Sequence, residues 1–261
     1  MVALIDDGVD TFDKAFTGQV LEGKSLDYHN GLRPPYSSAR GHGTVMASMI
    51  LRVCPMAKIY PIRLKIFATA DSRNQIVMDS AAQAIEAALD KKATIISMSW
   101  TLPISSVDVV KEQFGSGVSL SDRITSKVAE CQYETGSSVA TALGAGLAAM
   151  VLYCVKAAFL LLYIANVNKG NNNVIGTAVK PSDLEYLAKP DGMKWAFSQL
   201  GKLTKDNFIP VWEQLDPVSE AMEQVMSGGL TEAMRDGKDG NMERFWDFAS
   251  SLVRAAQKNQ I

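Results

Sequence analysis

The sequence predicts an α/β fold, a parallel sheet flanked by helices that is followed by a helical C-terminal extension. Three observations carry this. Through the first third of the chain, short apolar runs alternate with amphipathic stretches, the signature of strand–helix–strand units. Those runs are apolar throughout rather than alternating with polar residues, as expected of strands covered on both faces. After Ser138 the strand pattern stops, and one long apolar helix is followed by helical periodicity alone.

Val2 to Val9 (VALIDDGV) is an apolar run closed by Asp6, Asp7 and Gly8. It reads as a buried strand with functional groups at its carboxyl end. Thr44 to Arg52 reads as a helix and Ala57 to Phe67 as the next strand. Asp79 to Lys91 reads as a helix whose alanines and Ile85 make the inner face. Ala93 to Trp100 (ATIISMSW) is β-branched and apolar, a third strand. From Leu102 to Thr135 the periodicity dissolves. Gly115, Ser116 and Gly117 read as a turn, since no Lys-Ser/Thr follows to make a phosphate loop. Val139 to Val167 is an apolar helix interrupted by Lys156, and Asn168 to Asn173 is a polar hinge. Amphipathic helices fill the remainder; in Gly240 to Ala256, Phe245, Phe248 and Leu252 share one stripe as a packing face. The expected division is residues 1–165 and 166–261.

With 261 residues, 47% hydrophobic and 21% charged, the chain has the composition of a globular protein with a sizeable core. A net charge of -2 and the lack of a Lys/Arg cluster exclude a nucleic-acid partner. Cys54, Cys131 and Cys154 have no Cys-x-x-Cys spacing and lie among apolar residues, so reduced thiols are expected. The N-terminus carries no basic segment or signal-type cleavage site, and no Asn-x-Ser/Thr sequon occurs; both point to a cytoplasmic protein. The run from Val139 is long enough to span a bilayer. Its Ala/Gly content, Lys156, and Ser137 and Ser138 just ahead of it favour a helix buried in a soluble core, so a membrane is not an expected partner.

Three segments each place a chemically useful side chain at a strand end or helix start. LIDDG holds Asp6; ARGHGTVMASMI holds His42 between two glycines; TGSSVATA holds Ser138. Taken singly, Asp6 reads as a strand-end acid, His42 as a loop histidine and Ser138 as a helix cap. Taken together in the order Asp, His, Ser, they suit a relay in which a carboxylate orients an imidazole and the imidazole takes the proton of an attacking hydroxyl.

VALIDDGVD resembles the aspartate motif of the subtilases, GHGTVMASMI their histidine motif and TGSSVATALGAGLAAMVL their serine motif. AAQAIEAALDKKATIISMSW resembles the helix and cleft strand between them. The resemblance to this family of subtilisin-like serine peptidases implies Asp6 as orienting carboxylate, His42 as general base and Ser138 as nucleophile. It implies that Gly136 and Ser137 shape the turn at the oxyanion site, where the Ser138 backbone N–H can donate. It also implies that Ser97, Met98, Ser99 and Trp100 bind an extended polypeptide substrate by strand addition. Asp7 stands where the family has a small hydroxyl residue and is expected beside the triad or in solvent. No acidic loop has calcium-ligand spacing, and neither a metal nor a cofactor is implied.

The sequence also departs from the family. Ser99 and Ser138 are 39 residues apart, several dozen fewer than in typical subtilases, with the junction expected near Pro103 to Val107. The absent piece would carry core strands, part of the specificity pocket and the side-chain oxyanion donor, so the expected domain is shortened. Thr101 replaces a glycine and Ala142 a proline of the family pattern, and the sequence opens directly on the first motif, without the pro-segment and strand that precede it in relatives. The implied activity is serine endopeptidase chemistry through an acyl-enzyme. The alternatives are a catalytically impaired pseudoprotease acting as a binding or regulatory module, and a protein held to a membrane by Val139 to Val167.

Overall fold

Five consecutive buried residues, Val2–Asp6, form β1 at the centre of a four-stranded parallel sheet. The computed structural model describes residues 1–12, 14–28, 33–68, 74–100, 136–168, 179–201, 209–228 and 240–258. They divide into two compact units, Met1–Met150 and Val151–Ile261. In the first, β2 (Lys24–Ser25), β3 (Ile59–Arg63) and β6 (Ile95–Met98) complete the sheet in the order β2-β3-β1-β6. The register sets Asp6 opposite Arg63 and Ile5 opposite Met98.

Period-two alternation distributes β1 between two cores. Val2 and Leu4 pack in a cluster with Met46, Ala47 and Ile50 of helix α1 (His42–Val53) and with Ala142 and Ala145. Ala3 and Ile5 pack on the other face with Ala84, Ile85 and Ala88 of helix α2 (Met78–Asp90). A sheet covered on both faces explains why β1 lacks any polar alternation. The chain passes from β1 through α1 to β3, and from β3 through α2 to β6 on the opposite side of β1. Strand order therefore reverses at β1, and the crevice outside its carboxyl end is where such sheets place their sites.

The segment Ala57 to Phe67, read as one strand, is broken. Leu64 N–H donates to the Asp6 carbonyl at 2.8 Å, the last rung that β1 can offer. Beyond it Lys65 N–H turns to the Ser80 hydroxyl at 3.0 Å. The chain then forms β4 (Ile66–Ala68), antiparallel to β5 (Asn74–Ile76). Strand β1 itself stops at Asp6, three residues short of the apolar run that announced it. Cys54, at the end of α1, is a buried free thiol, and burial pushes its pKa up.

Helix α3 runs from Ser137–Asn168 as a single element. By length and composition Ser137–Ile164 is long and apolar enough to cross a membrane. In the first unit its opening turns are core: Ala142 and Ala145 are buried, and a Cβ at Gly146 would crowd the Val53 side chain and the Ile50 backbone.

In the second unit, α4 (Pro181–Leu187) and α5 (Pro190–Gln199) both open on proline, whose fixed φ and missing donor suit the first helical turn. They are followed by α6 (Trp212–Gly228) and α7 (Gly240–Lys258). The expected stripe of Phe245, Phe248 and Leu252 is buried, and α7 packs with it against α4, α5 and α6. The expectations for Thr101, the Pro103 to Val107 junction, the Gly115 turn, Cys131 and all but the first residue of the Asn168 to Asn173 hinge lie outside the described residues.

Candidate active site

Asp6 ends β1 with its side chain 6% exposed. His42 begins α1, two residues earlier than the sequence pattern placed the helix start. Its Nδ1 lies 2.8 Å from Asp6 Oδ1 and 2.9 Å from Oδ2. A carboxylate offers only acceptors, so Nδ1 carries the proton and donates, and when the ring is neutral Nε2 is its basic nitrogen. Asp7 N–H donates to Asp6 Oδ1 at 2.8 Å, and the Ser99 hydroxyl donates to Oδ2 at 3.2 Å.

Helix α1 starts early because acceptors reach it from outside. Gly41 sits at the N-cap with φ 85° and no side chain to cap the helix, a left-handed conformation that glycine adopts without strain. The missing cap comes from Asp7, whose Oδ1 accepts the Gly43 N–H at 2.9 Å and the Ser38 hydroxyl at 2.7 Å. Its Oδ2 accepts the Arg40 N–H at 2.9 Å. Of the two places expected for Asp7, beside Asp6 and His42 or in solvent, it takes the first: it is buried, and its acceptors are used by backbone and hydroxyl donors. Asp10 adds a second tie, taking the Ser38 N–H at 2.8 Å while its own N–H donates to the Thr44 hydroxyl at 2.9 Å. A Cβ at Gly43 would collide with the Gly8 carbonyl oxygen and stand 3.0 Å from Asp7 Oδ1 and 3.1 Å from Asp6 Cβ, so only glycine allows α1 to approach the end of β1 this closely.

The loop before His42 is held from β3 as well. Arg63 and Asp27, with side chains 5% and 6% exposed, form a buried pair with Nε 3.3 Å from Oδ2. The Arg63 guanidinium also donates to the carbonyl oxygens of Pro34 and Ser37. None of Asp10, Ser38, Arg63 and Asp27 stood out in the sequence. Their signal is a partner 26 to 36 residues away, which periodicity does not carry.

Ser138 lies in the first turn of α3, after Gly136 with φ 79°. The first intrahelical bond runs from Ala140 N–H to the Gly136 carbonyl. The N–H groups of Ser137 and Ser138 thus precede the helical ladder, at the positive end of the helix dipole. The Ser138 hydroxyl donates to the Ser99 carbonyl at 3.3 Å. Ser99 therefore links Asp6 through its side chain to Ser138 through its backbone.

The cleft-strand residues fall into two groups. Ser97 is 2% exposed and its buried hydroxyl has no hydrogen-bond partner among the described residues, so its side chain faces the interior. Met98, Ser99 and Trp100 are half-buried, and Trp100 Nε1 donates to the Ile5 carbonyl at 3.0 Å, fastening this segment to β1. Among the described residues β6 pairs on one side only, with β1.

A doubly covered parallel sheet with a carboxylate–imidazole pair at its switch point defines an α/β protein whose site is built from strand ends and helix starts. The subtilase family model matches residues 1–131, half of the chain. The chain belongs to the subtilase family and has a partial subtilisin-like fold. The matched segment contains Asp6, His42 and the cleft strand and ends before Ser138. Among the solved structures that resemble it is one described as the crystal structure of a lanthipeptide protease. It is 23% identical, with 43% of this chain and 32% of that chain covered at a TM-score of 0.34, so the likeness spans about a third of that protein's length. No curated protein matches the chain.

Proposed function

We propose that the chain is a serine endopeptidase in which Asp6 orients His42, His42 acts as general base and Ser138 is the nucleophile. The observation that carries this reading is the Asp6–His42 pair at 2.8 Å, inside the segment that matches a peptidase family. In the reaction His42 Nε2 takes the Ser138 proton as Oγ attacks the substrate carbonyl. The same imidazolium then protonates the departing amine, leaving an acyl-enzyme that water hydrolyses by the reverse sequence. The backbone N–H of Ser138 at the start of α3 supplies an oxyanion donor. The substrate is an extended polypeptide lying along Ser97 to Trp100, and the setting is the cytoplasm.

A fluorophosphonate probe applied to the folded full-length chain tests this reading. Labelling is expected in the native protein, absent in Ser138→Ala and strongly reduced in His42→Ala. A second reading, a pseudoprotease that binds polypeptides without cleaving them, draws on the Ser138 hydroxyl being directed at the Ser99 carbonyl. A folded native chain that takes up no probe would establish that reading in place of the first.

A further inference from the structure

We propose that Asp7 is a positioning residue for the general base: its carboxylate holds the backbone on both sides of His42, and its amide holds the carboxylate that His42 uses. The inference rests on the reading of His42 as that base. The ties to Asp7 converge from the whole approach to the ring. Oδ1 accepts from the Ser38 hydroxyl and from Gly43 N–H, and Oδ2 accepts from Arg40 N–H. The Ser38 oxygen in turn accepts the Gly41 N–H at 2.8 Å. Every residue bonded in this way lies within four positions of His42. On the other side, the Asp7 N–H donates to Asp6 Oδ1, the same oxygen that receives His42 Nδ1 at 2.8 Å. The two partners of the pair are thus referred to one residue, the acid through a backbone donor and the base through a side-chain acceptor.

The chemistry requires a carboxylate. Three donors meet two oxygens, one of which accepts twice, and a charged acceptor at the start of α1 is favoured by the helix dipole. An asparagine presents one acceptor oxygen and an NH2 group. In either orientation the NH2 faces a backbone N–H, of Gly43 or of Arg40, so one tie becomes a donor–donor clash. A serine has a single oxygen on a shorter stem and cannot reach both sides of His42. Arg63 holds Ser37, and Asp10 ties Ser38 and the Thr44 hydroxyl, whereas the backbone N–H groups of Arg40 and Gly43, on either side of His42, go to Asp7.

The test is Asp7→Asn in the full chain. It is read by imidazole nitrogen–proton NMR, which reports tautomers and is simple in a chain with two histidines, and by kcat and KM on a peptide substrate. The native protein is expected to show His42 with its proton on Nδ1. In Asp7→Asn that population should fall in favour of the Nε2–H form, and kcat should drop roughly 30- to 100-fold with KM within about twofold, as for a displaced catalytic group. A folded Asp7→Asn with native tautomer and native kcat overturns the proposal. So does a kcat loss that tracks a lowered melting temperature while the tautomer is native. If Asp7→Asn does not fold, Ser38→Ala removes one of the three ties, and an unaltered His42 spectrum there overturns the proposal equally. The spectrum needs no turnover: an inactive native chain whose His42 tautomer still responds to Asp7→Asn would sink the peptidase reading and leave the positioning role standing.

Discussion

Asp6 and His42 sit in a mesh of hydrogen bonds of 2.7 to 2.9 Å involving Asp7, Ser38, Arg40 and Gly43. Among the described residues the Ser138 hydroxyl is tied to the Ser99 carbonyl, just past β6, by a bond of 3.3 Å, longer than such bonds usually are. The acid–base half is built from contiguous chain: β1, the loop after it and α1 all fall within the first 53 residues. Ser138, the proposed nucleophile, lies on a helix that begins at Ser137, beyond the family-matched segment. A preorganised general base costs nothing to align during reaction. In the proposed reaction the Ser138 hydroxyl would have to leave the Ser99 carbonyl for His42, and a bond of 3.3 Å opposes that less than a shorter one would. Under the proposed function the closely bonded half would set the direction of the chemistry, and the half tied at 3.3 Å would supply the moving atom.

Removing the charge from the closely bonded half should have the largest effect. In Asp6→Asn an amide replaces the acceptor that keeps the proton on His42 Nδ1, and kcat should fall by about four orders of magnitude with the fold retained. Steady-state kinetics beside a thermal melt checks this; a loss of less than about tenfold would mean that Asp6 does not orient the base.

The next effect is on stability. Arg63→Met removes the 3.3 Å ion pair with Asp27, which Arg33 faces from 3.7 Å with its side chain 53% exposed, and releases the carbonyl groups of Pro34 and Ser37. Breaking a buried pair on one side costs about 3 to 5 kcal/mol. Arg33 should hold the loss near the lower figure, measurable as a shift in the urea midpoint. An unchanged midpoint would show that the His42 loop does not depend on its β3 anchor.

The smallest effect is expected at the bridge between the halves. Ser99→Ala removes the 3.2 Å bond to Asp6 Oδ2 and keeps the carbonyl that meets Ser138. One hydrogen bond to a charged group is worth about 1.5 to 3 kcal/mol in stability, and Asp6 retains its bonds to Asp7 and His42. The expected loss in kcat is therefore only about threefold to tenfold, with probe labelling of Ser138 preserved. Loss of labelling would instead show that the Ser99 side chain holds the nucleophile in place.

Much of this was legible in the sequence, for definite reasons. The uninterrupted apolar run at Val2 announced a strand buried on both faces, and the alanines around Ile85 announced the face of α2. Asp6 and His42 stood out because each occupies a compact motif of five to ten residues. Asp7 was visible, but the choice between a place beside Asp6 and His42 and one in solvent stayed open: its neighbour in sequence is Asp6, whereas the groups that use its carboxylate lie 31 to 36 residues on. The start of α1 was set two residues late because the cap is supplied by that distant side chain and not by the residue before the helix.

The sequence by itself determined the class of fold, the alternation of strand and helix, and which acid, imidazole and hydroxyl are candidates for chemistry, since these rest on patterns within a few residues. Tertiary structure alone decided that β3 ends where β1 runs out of carbonyl groups, that Arg63 and Asp27 clamp the loop before His42, and that Ser138 rests on the carbonyl of Ser99. Each of those depends on a hydrogen bond between atoms brought together only when both faces of the sheet are covered, and no local periodicity encodes such a bond.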